Sequence, residues 1–371
     1  MATQAQTPAA AASVVADPEK LKVFAASILR SCGMQERDAI DVAEVLVRTD
    51  MRGVRTHGVR TLPGYVEQIE GGGMNPHANV HAVRESGSVA VVDGDAGPGQ
   101  LVAVRATQIA ISKAKETGQS TVTVRNSNHL GACGHYALMA AEAGLIGLVL
   151  SNAPPVMKVP GSRTAVLGNG PLAYGAPFPA GAPLVFDAAM SVVAGTKVIM
   201  ARERGQKIPE GWLVSPAGLP TTDPEDFFRG GALVPLGGHK GYSLTLLGEL
   251  LAGVLSGAAM ATAIGAWRFD KTKPTNTGHV FIALDIEAFM SFAEYTERIE
   301  LLCDTIKSAP KESPDARIMV PGEIERDNEQ ASRRDGIYFD NIVWDSLHQL
   351  AERFGDAAAL QASARGNKEV V

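Results

Sequence analysis

Hydrophobic residues recur at helical spacing along the N-terminal part of the chain. Apolar positions three and four residues apart predict a helix over 18–33, with Asp17 as its N-cap, and a second helix that ends near Gly53. A third helix is expected over 62–73. The alanine-rich segment 1–17 has neither a basic start nor a strong apolar core, so we expect a disordered tail rather than a signal peptide.

The pattern then changes to short apolar runs that alternate with helical segments. The runs typical of strands are SVAVVDG (88–94), STVTVR (120–125), LIGLVLSN (145–152), PLVFD (183–187) and GHVFIALD (278–285). The strand that ends at Asp187 is expected to be buried. Alternation of this kind predicts an α/β domain.

Composition and charge exclude several classes of function. The chain has 371 residues, 45% of them hydrophobic and 20% charged, which suffices for a large core and two domains. A net charge of −6 argues against a nucleic-acid partner, and no apolar run is long enough to span a bilayer. Three widely spaced cysteines (Cys32, Cys133 and Cys303) indicate free thiols and a cytoplasmic location.

The segment NSNHLGACGHYA, residues 126–137, combines a strand end, a turn and a helix start. His129, Cys133 and His135 lie close together in sequence, but the chain lacks the second ligand pair that zinc sites use. We therefore predict no metal here. A small-residue turn that leads into a helix N-terminus is instead typical of an anion site.

None of the glycine-rich turns matches a standard nucleotide motif. After the first strand of the α/β domain, Gly97 and Gly99 have the Rossmann spacing, but the third glycine position is Val102. The segment GGHKGYS, residues 237–243, is not a P-loop, although it places Lys240 at a helix start. That lysine suits either a bound phosphate or solvent.

The segment DMRGVRTHGVRTLPGY, residues 50–65, surrounds His57 with arginines. Arg52 and Arg60 have the planar guanidinium that binds carboxylates, and a neighbouring histidine can protonate a carbonyl oxygen. The alternative is a surface cluster of charges at a domain junction. Asp187, at the carboxyl end of a strand, could orient an imidazole or cap the next helix.

Several motifs in a fixed order resemble the type 2 malate/L-lactate dehydrogenase family. They are RGVRTHGVRTLPGY, VRNSNHLGACGHYA, LGNGPLAYGAP, PLVFDAAMS, PLGGHKGYSLTLLGELLAGVLSG, GHVFIALD and VPGE, and the resemblance covers residues 18–355. The family also includes sulfolactate and ureidoglycolate dehydrogenases, diketogulonate reductase and piperideine-2-carboxylate reductase. The resemblance implies hydride transfer between NAD or NADP and a small 2-oxo or 2-hydroxy acid, or a related cyclic imine carboxylate.

The resemblance also implies an architecture. A non-Rossmann nucleotide-binding α/β domain is expected over 86–319, with a helical domain built from both chain ends, over 18–85 and about 320–360. Members of the family form dimers, so we expect a homodimer that binds a small-molecule substrate.

Site residues follow from the same resemblance. The catalytic group is expected to comprise Thr56, His57, His129 and Asp187, and Tyr65 is expected beside the substrate with Arg52 and Arg60. Cofactor contacts are expected from Asn128, His129, Leu130, Gly131, Asp187, Ser191, His239, Lys240, Pro321, Gly322 and Glu323. Two motifs depart from the family pattern: Thr61 stands where many members have a carboxylate-binding arginine, and LGNGPLA replaces LGTNPLA.

Two histidines compete for the role of general acid. Arginines near His57 in sequence would lower the pKa of its imidazole, and a carboxylate such as Asp187 would counter this effect. His129 is expected at a helix start, where the helix dipole disfavours the imidazolium. We therefore predict that His57 donates the proton, with Asp187 and Thr56, and that His129 positions substrate and nicotinamide.

Two other classes of function compete with this interpretation. One is a metal-dependent lyase or hydrolase that uses His129, Cys133 and Asp187. The other is a non-catalytic ligand-binding protein, against which the joint presence of His57, His129 and Asp187 argues.

Overall fold

A computed structural model describes residues 13–368, which divide into two units. One unit comprises the described residues up to Val66 and from Ile324 onward, and the other is Glu67–Glu323. The sequence predicts a helical domain over 18–85 and about 320–360, and an α/β domain over 86–319. Residues 1–12 of the predicted disordered tail lie outside the described residues. Residues 13–16 of that tail form a strand, so the prediction of disorder is wrong there.

The α-helices are α1 (Pro18–Ser31), α2 (Glu36–Met51), α3 (Leu62–Glu70), α4 (Gly99–Thr117), α5 (Cys133–Glu142), α6 (Gly195–Glu203), α7 (Glu225–Phe228), α8 (His239–Gly248), α9 (Phe292–Lys307), α10 (Glu323–Asp335), α11 (Asn341–Arg353) and α12 (Ala357–Ser363). The strands are β1 (Ser13–Ala16), β2 (His81–Ser86), β3 (Val89–Asp93), β4 (Gln119–Ser127), β5 (Leu145–Ser151), β6 (Met157–Lys158), β7 (Ala165–Leu167), β8 (Leu172–Ala176), β9 (Leu184–Ala188), β10 (Leu213–Val214), β11 (Pro220–Thr221), β12 (Ala232–Leu233), β13 (Thr277–Asp285), β14 (Ile337–Asp340) and β15 (Ala364–Lys368).

The first unit is mainly helical, and its helix ends follow from local chemistry. Asp17 caps α1, because its carboxylate accepts hydrogen bonds from the Glu19 and Lys20 amides at 3.0 and 3.1 Å. Gly53, with φ +84°, adopts the left-handed conformation just after α2. A three-stranded antiparallel sheet of order β14-β1-β15 completes the unit. This sheet was not predicted, since its strands are short and far apart along the chain.

The second unit contains a seven-stranded sheet of order β2-β3-β4-β13-β5-β8-β9. Strands β3 and β4 are parallel, while the other neighbouring pairs are antiparallel. A smaller sheet has the order β11-β10-β12-β6-β7. The predicted alternation of strands and helices is therefore present, but it builds a largely antiparallel sheet.

Strand β13 occupies the centre of the large sheet and contains a buried histidine. His279 Nδ1 lies 2.8 Å from the Ser151 hydroxyl at the end of β5, and Nε2 lies 3.0 Å from the Ser127 hydroxyl at the end of β4. Burial lowers the pKa of His279 to about 3, although the Asn128 backbone opposes the shift. The imidazole is thus neutral, and it links the two strand ends that lead into the segments around Asn128 and Asn152.

Helix α8 continues directly into a π-helix over Glu249–Leu255. These two segments present large apolar side chains to solvent: Leu244, Leu246, Leu247, Leu250, Val254 and Leu255. We call these six residues the leucine face. Exposed fractions of 50% for Leu250 and 61% for Leu255 are unusual for contiguous leucines on one helical segment.

Candidate active site

The segment that carries His57 follows α2 in the helical unit. The His57 amide donates to the Val54 carbonyl at 3.1 Å, which shapes the turn. The hydroxyl oxygen of Thr56 lies 2.7 Å from His57 Nδ1. In the imidazolium both ring nitrogens carry a proton, so Nδ1 donates to the Thr56 hydroxyl oxygen and Nε2 is left to donate elsewhere.

The arginines around His57 have different surroundings. Arg52 is buried, and its Nη1 lies 3.0 Å from Glu329 Oε2 on α10. Burial alone would raise the pKa of Glu329, but Arg48, Arg333 and Arg52 outweigh it and lower that pKa. The ion pair with Glu329 therefore favours a structural role for Arg52. Its predicted role in substrate binding stays a prediction.

Arg60 and Tyr65 lie on the segments that follow His57. Arg60 is half-buried in a short 3-10 helix over Val59–Thr61. Thr61 is buried, and its hydroxyl donates to the Gly58 carbonyl at 2.7 Å. Tyr65 lies on α3 and is 1% exposed. Thr61 therefore stabilises the turn after His57, and Arg60 beside it is half-buried.

The segment 126–137 belongs to the second unit. Asn128 is fully buried, and its amide donates to the Ala96 and Gly97 carbonyls at 2.6 and 3.0 Å. Its Oδ1 accepts from Gln68 Nε2 at 2.9 Å and from the Thr275 amide and hydroxyl. Since both amide protons are used within the unit, the Asn128 side chain holds the turn together, and a cofactor contact would fall to its backbone.

His129 lies in the turn between β4 and α5 rather than at a helix start. Helix α5 begins at Cys133, four positions later, so the predicted dipole effect on His129 is weaker than expected. The turn itself is formed by Leu130, whose carbonyl accepts from the Tyr136 hydroxyl at 2.6 Å, and by Gly131 with φ +84°. His129 is half-buried.

Trp267 stacks on His129, with 5.1 Å between ring centroids and 26° between ring planes. The Arg268 guanidinium carbon lies 4.5 Å from the Trp267 centroid, and Lys271 Nζ lies 5.1 Å from it. Sequence reasoning missed Trp267 because its loop has no periodic pattern. The cationic neighbours around a tryptophan were the signal that could have suggested a site.

Cys133 and His135, near the start of α5, are both buried. Burial, with a contribution from the Asp187 charge, raises the pKa of the Cys133 thiol well above its ordinary value. No cluster of three or more histidine, cysteine or acidic side chains suited to a metal occurs within residues 13–368. These observations favour structural roles for both residues.

Asp187 lies on β9, the edge strand of the large sheet, and its side chain is exposed. The expectation of a buried strand is therefore wrong, because β9 pairs on one side only. Asp187 Oδ2 accepts a hydrogen bond from the Gly134 amide at 2.7 Å, in the first turn of α5. Asp187 thus caps α5 through this hydrogen bond.

The remaining predicted cofactor residues lie in two places. The Pro321 carbonyl accepts from the Val185 amide at 3.2 Å, and a side chain at Gly322 would lie 2.8 Å from the Val185 nitrogen, so this segment packs on β9. Glu323 is buried, and its Oε1 forms an ion pair with Lys307 Nζ at 2.6 Å.

His239 and Lys240 are exposed at the start of α8, after two glycines with positive φ, Gly237 and Gly238. Ser191 is buried. It forms an isolated antiparallel bridge with Pro235, which precedes this turn. An exposed lysine at a helix N-terminus suits an anionic phosphate. These residues therefore fit a nucleotide cofactor.

Comparison with known proteins decides the family. The sequence profile of the malate/L-lactate dehydrogenase family matches residues 16–348. The chain belongs to the malate/L-lactate dehydrogenase family. It is 40% identical over 344 residues to a malate dehydrogenase of Pyrococcus horikoshii, covering 91% of this chain and 94% of the relative. It is 35% identical over 345 residues to an L-sulfolactate dehydrogenase of Methanocaldococcus jannaschii, covering 92% and 98% of the two chains.

The fold agrees with this membership. The solved structure of the Pyrococcus horikoshii malate dehydrogenase matches with a TM-score of 0.85 and 37% identity, covering 92% of this chain and 96% of that one. The protein is therefore a dehydrogenase of mixed α/β fold, from a family that acts on hydroxy acids and related substrates with a nicotinamide cofactor. Nothing supports the lyase or hydrolase alternative. Within residues 13–368, none of the helices combines the length and apolar character needed to cross a bilayer.

Proposed function

We propose that this dehydrogenase transfers hydride between NADH or NADPH and the C2 carbon of a small 2-oxo acid or cyclic imine carboxylate. The observation that carries the proposal is the Thr56 hydroxyl at 2.7 Å from His57 Nδ1, because a hydroxyl oxygen that accepts from Nδ1 leaves Nε2 of the imidazolium to donate a proton. When bound, the reduced nicotinamide supplies the hydride. The chain's own residues supply the proton and the orientation of the substrate.

His57 is proposed as the general acid. Hydride addition places negative charge on the substrate oxygen or nitrogen, and a proton from His57 Nε2 neutralises it. Loss of that proton leaves a neutral imidazole with its remaining proton on Nδ1, which donates to the Thr56 hydroxyl oxygen and so keeps the ring in position. Asp187, which caps α5, is also proposed as the carboxylate that favours the imidazolium form of His57.

His129 is proposed to position the substrate and the nicotinamide. Stacking on Trp267 restricts the rotation of its ring, and it is half-buried at the end of β4. A neutral imidazole in this environment can donate one hydrogen bond to a carbonyl without transferring its proton. Arg60 is the proposed partner of the substrate carboxylate, because Arg52 pairs with Glu329.

Cofactor binding is proposed to use a non-Rossmann arrangement. The largely antiparallel sheet supports this proposal, since Rossmann domains are built on parallel strands. Gly97 and Gly99 also serve internal packing. A side chain at Gly99 would lie 2.2 Å from the Asn128 carbonyl oxygen, and one at Gly97 would lie 2.5 Å from the Ala78 side chain. The phosphates are instead assigned to the Lys240 end of α8.

A homodimer formed through the leucine face is part of the same proposal. Family resemblance suggests a dimer, and contiguous exposed leucines suit the apolar centre of an interface between two copies. Light scattering at micromolar concentration should give twice the monomer mass, and Leu250→Asp should reduce it. A monomer mass for the unaltered protein would refute this assignment. The cytoplasmic location stays a prediction.

A substrate panel tests the catalytic proposal. Pyruvate, oxaloacetate, sulfopyruvate and piperideine-2-carboxylate are each mixed with NADH or NADPH, and the loss of absorbance by the reduced nicotinamide is followed. At least one combination should be reduced, and prior treatment with a chelator should leave the rate unchanged. Failure of all 2-oxo acids and cyclic imines with both cofactors would contradict the proposal.

A further inference from the structure

Asp50, in the last turn of α2, anchors the segment that carries His57. Its side chain is 1% exposed. Asp50 Oδ2 accepts a hydrogen bond from the Val59 amide at 2.7 Å. Since Val59 follows His57 by two positions, this bond ties the far end of the His57 segment back to helix α2.

Gly58 fits closely against the same carboxyl group. A side chain at Gly58 would place its Cβ 2.1 Å from the Asp50 carboxyl carbon and 2.2 Å from each carboxyl oxygen. These separations are far shorter than any non-bonded contact between such atoms. The Asp50 carboxyl therefore fills the space that a side chain next to His57 would need, and the two positions are sterically matched.

Two other backbone hydrogen bonds of the segment are local to its turns. The Val54 amide donates to the Thr49 carbonyl at 3.1 Å, and the Thr61 amide donates to the Gly58 carbonyl at 2.9 Å. These bonds define each turn. The Asp50–Val59 bond has a different consequence, because it fixes the backbone after His57 relative to a helix.

An aspartate is a costly residue at this position. Burial raises the pKa of Asp50 to about 7, and the Val59 amide and the Arg55 charge offset only part of that effect. Among residues 13–368, its second oxygen Oδ1 has no hydrogen-bond partner. An apolar side chain would avoid the cost of burying a carboxyl, but it would leave the fully buried Val59 with an unpaired amide.

We propose that Asp50 is a positioning residue for the reaction: bonded to the Val59 amide and packed on Gly58, its carboxyl sets the orientation in which His57 is presented. The inference rests on the proposed role of His57 as general acid. Asp50 acts through that residue and not on the substrate. Loss of Asp50 should therefore lower turnover while cofactor affinity stays the same.

The first test compares Asp50→Asn with Asp50→Leu. Asparagine keeps an acceptor for the Val59 amide, while leucine has a similar volume and no acceptor. Since small misplacements of a reacting group can cost on the order of 100-fold in rate, Asp50→Leu should lower kcat by about 10- to 100-fold, and Asp50→Asn should restore most of it. The dissociation constant of NADH or NADPH, from nicotinamide fluorescence, should not change in either variant.

The second test uses the steric match between Asp50 and Gly58, and it applies even if Asp50→Leu does not fold. Gly58→Ala alone should lower kcat. In an Asp50→Ala background, the same Gly58→Ala change should have no further effect, because the colliding carboxyl is gone. Glu44→Gln, which also removes a carboxylate from α2 but at an exposed position paired with Lys22, serves as the control and should leave kcat unchanged.

The outcomes separate this inference from the proposed function. Full kcat in Gly58→Ala would overturn the positioning role. Equal kcat losses in Asp50→Asn and Asp50→Leu would do so too, provided that thermal melting shows both variants to be folded. Independent, additive effects of the two alanine substitutions would do the same. Failure of the unaltered enzyme to reduce any 2-oxo acid or imine would instead refute the proposed function.

Discussion

The hydroxyl oxygen of Thr56 lies 2.7 Å from Nδ1 of His57, within the same turn. This contact occupies Nδ1, which leaves Nε2 as the proposed proton donor. Thr56→Val removes the hydroxyl at almost constant volume, and the net value of one hydrogen bond is about 1 kcal/mol, so kcat should fall by roughly 5- to 10-fold. Steady-state kinetics with a saturating cofactor checks this expectation.

The matched control is Thr56→Ser, which keeps the hydroxyl and should retain most of the activity. An equal loss in the serine and valine variants would indicate that the methyl group of Thr56 matters and the hydrogen bond does not.

Lys240 should contribute mainly to cofactor binding. Its exposed position at the start of α8 suits a phosphate, and such a contact is the same in the ground state and the transition state. Lys240→Ala should therefore raise the KM for cofactor more than it lowers kcat. Lys115→Ala, at an exposed position in the last turn of α4, is the control. Unchanged cofactor affinity in Lys240→Ala would count against the phosphate assignment.

Asp50 should make the stability of the fold depend on pH. Its pKa is raised from 3.8 to about 7 by burial, so the folded state holds a proton that the unfolded state loses. The stabilising contribution of this proton is full below pH 3.8 and is lost as the pH rises through 7. The difference in unfolding free energy between the unaltered protein and Asp50→Asn should therefore fall over this range, at most by about 1.4 kcal/mol per pH unit. A constant difference in urea unfolding from pH 4 to 8 would contradict the shift.

His279 should act in the opposite direction at acidic pH. Its pKa is lowered from 6.5 to about 3 by burial, so the unfolded state takes up a proton that the folded state does not. The stability from this group is present above pH 6.5 and is lost as the pH falls towards 3. His279→Asn should thus lose less stability between pH 6.5 and 4 than the unaltered protein, as measured by urea unfolding. A parallel decline of the two proteins would disprove the assignment.

The sequence predicted local structure better than long-range pairing. Helices α1, α2 and α3 were expected because capping residues such as Asp17 and apolar spacing act over a few neighbours. The place of β13 at the centre of the large sheet was not predictable, since strand order depends on packing between distant segments. The sheet that contains β1 was missed for the same reason.

The candidate site shows the same division. Motifs identified His57, His129 and Asp187 as candidate catalytic residues. They did not reveal that Asp187 is exposed on an edge strand and caps α5, because the partner amide comes from Gly134, far along the chain. Trp267 was also missed, although it stacks on His129. Side-chain neighbours of this kind follow from the tertiary fold and not from spacing within a motif.

The most direct test of the account is a comparison of turnover in His57→Ala and His129→Ala at pH 7 with saturating NADH or NADPH. Loss of a general acid typically costs on the order of 100- to 10,000-fold in rate, so His57→Ala should show such a loss with its cofactor affinity intact. His129→Ala should instead raise the KM for substrate and retain a larger share of kcat. If His57→Ala keeps near-normal turnover while His129→Ala abolishes it, the proton comes from His129 and the central claim is wrong.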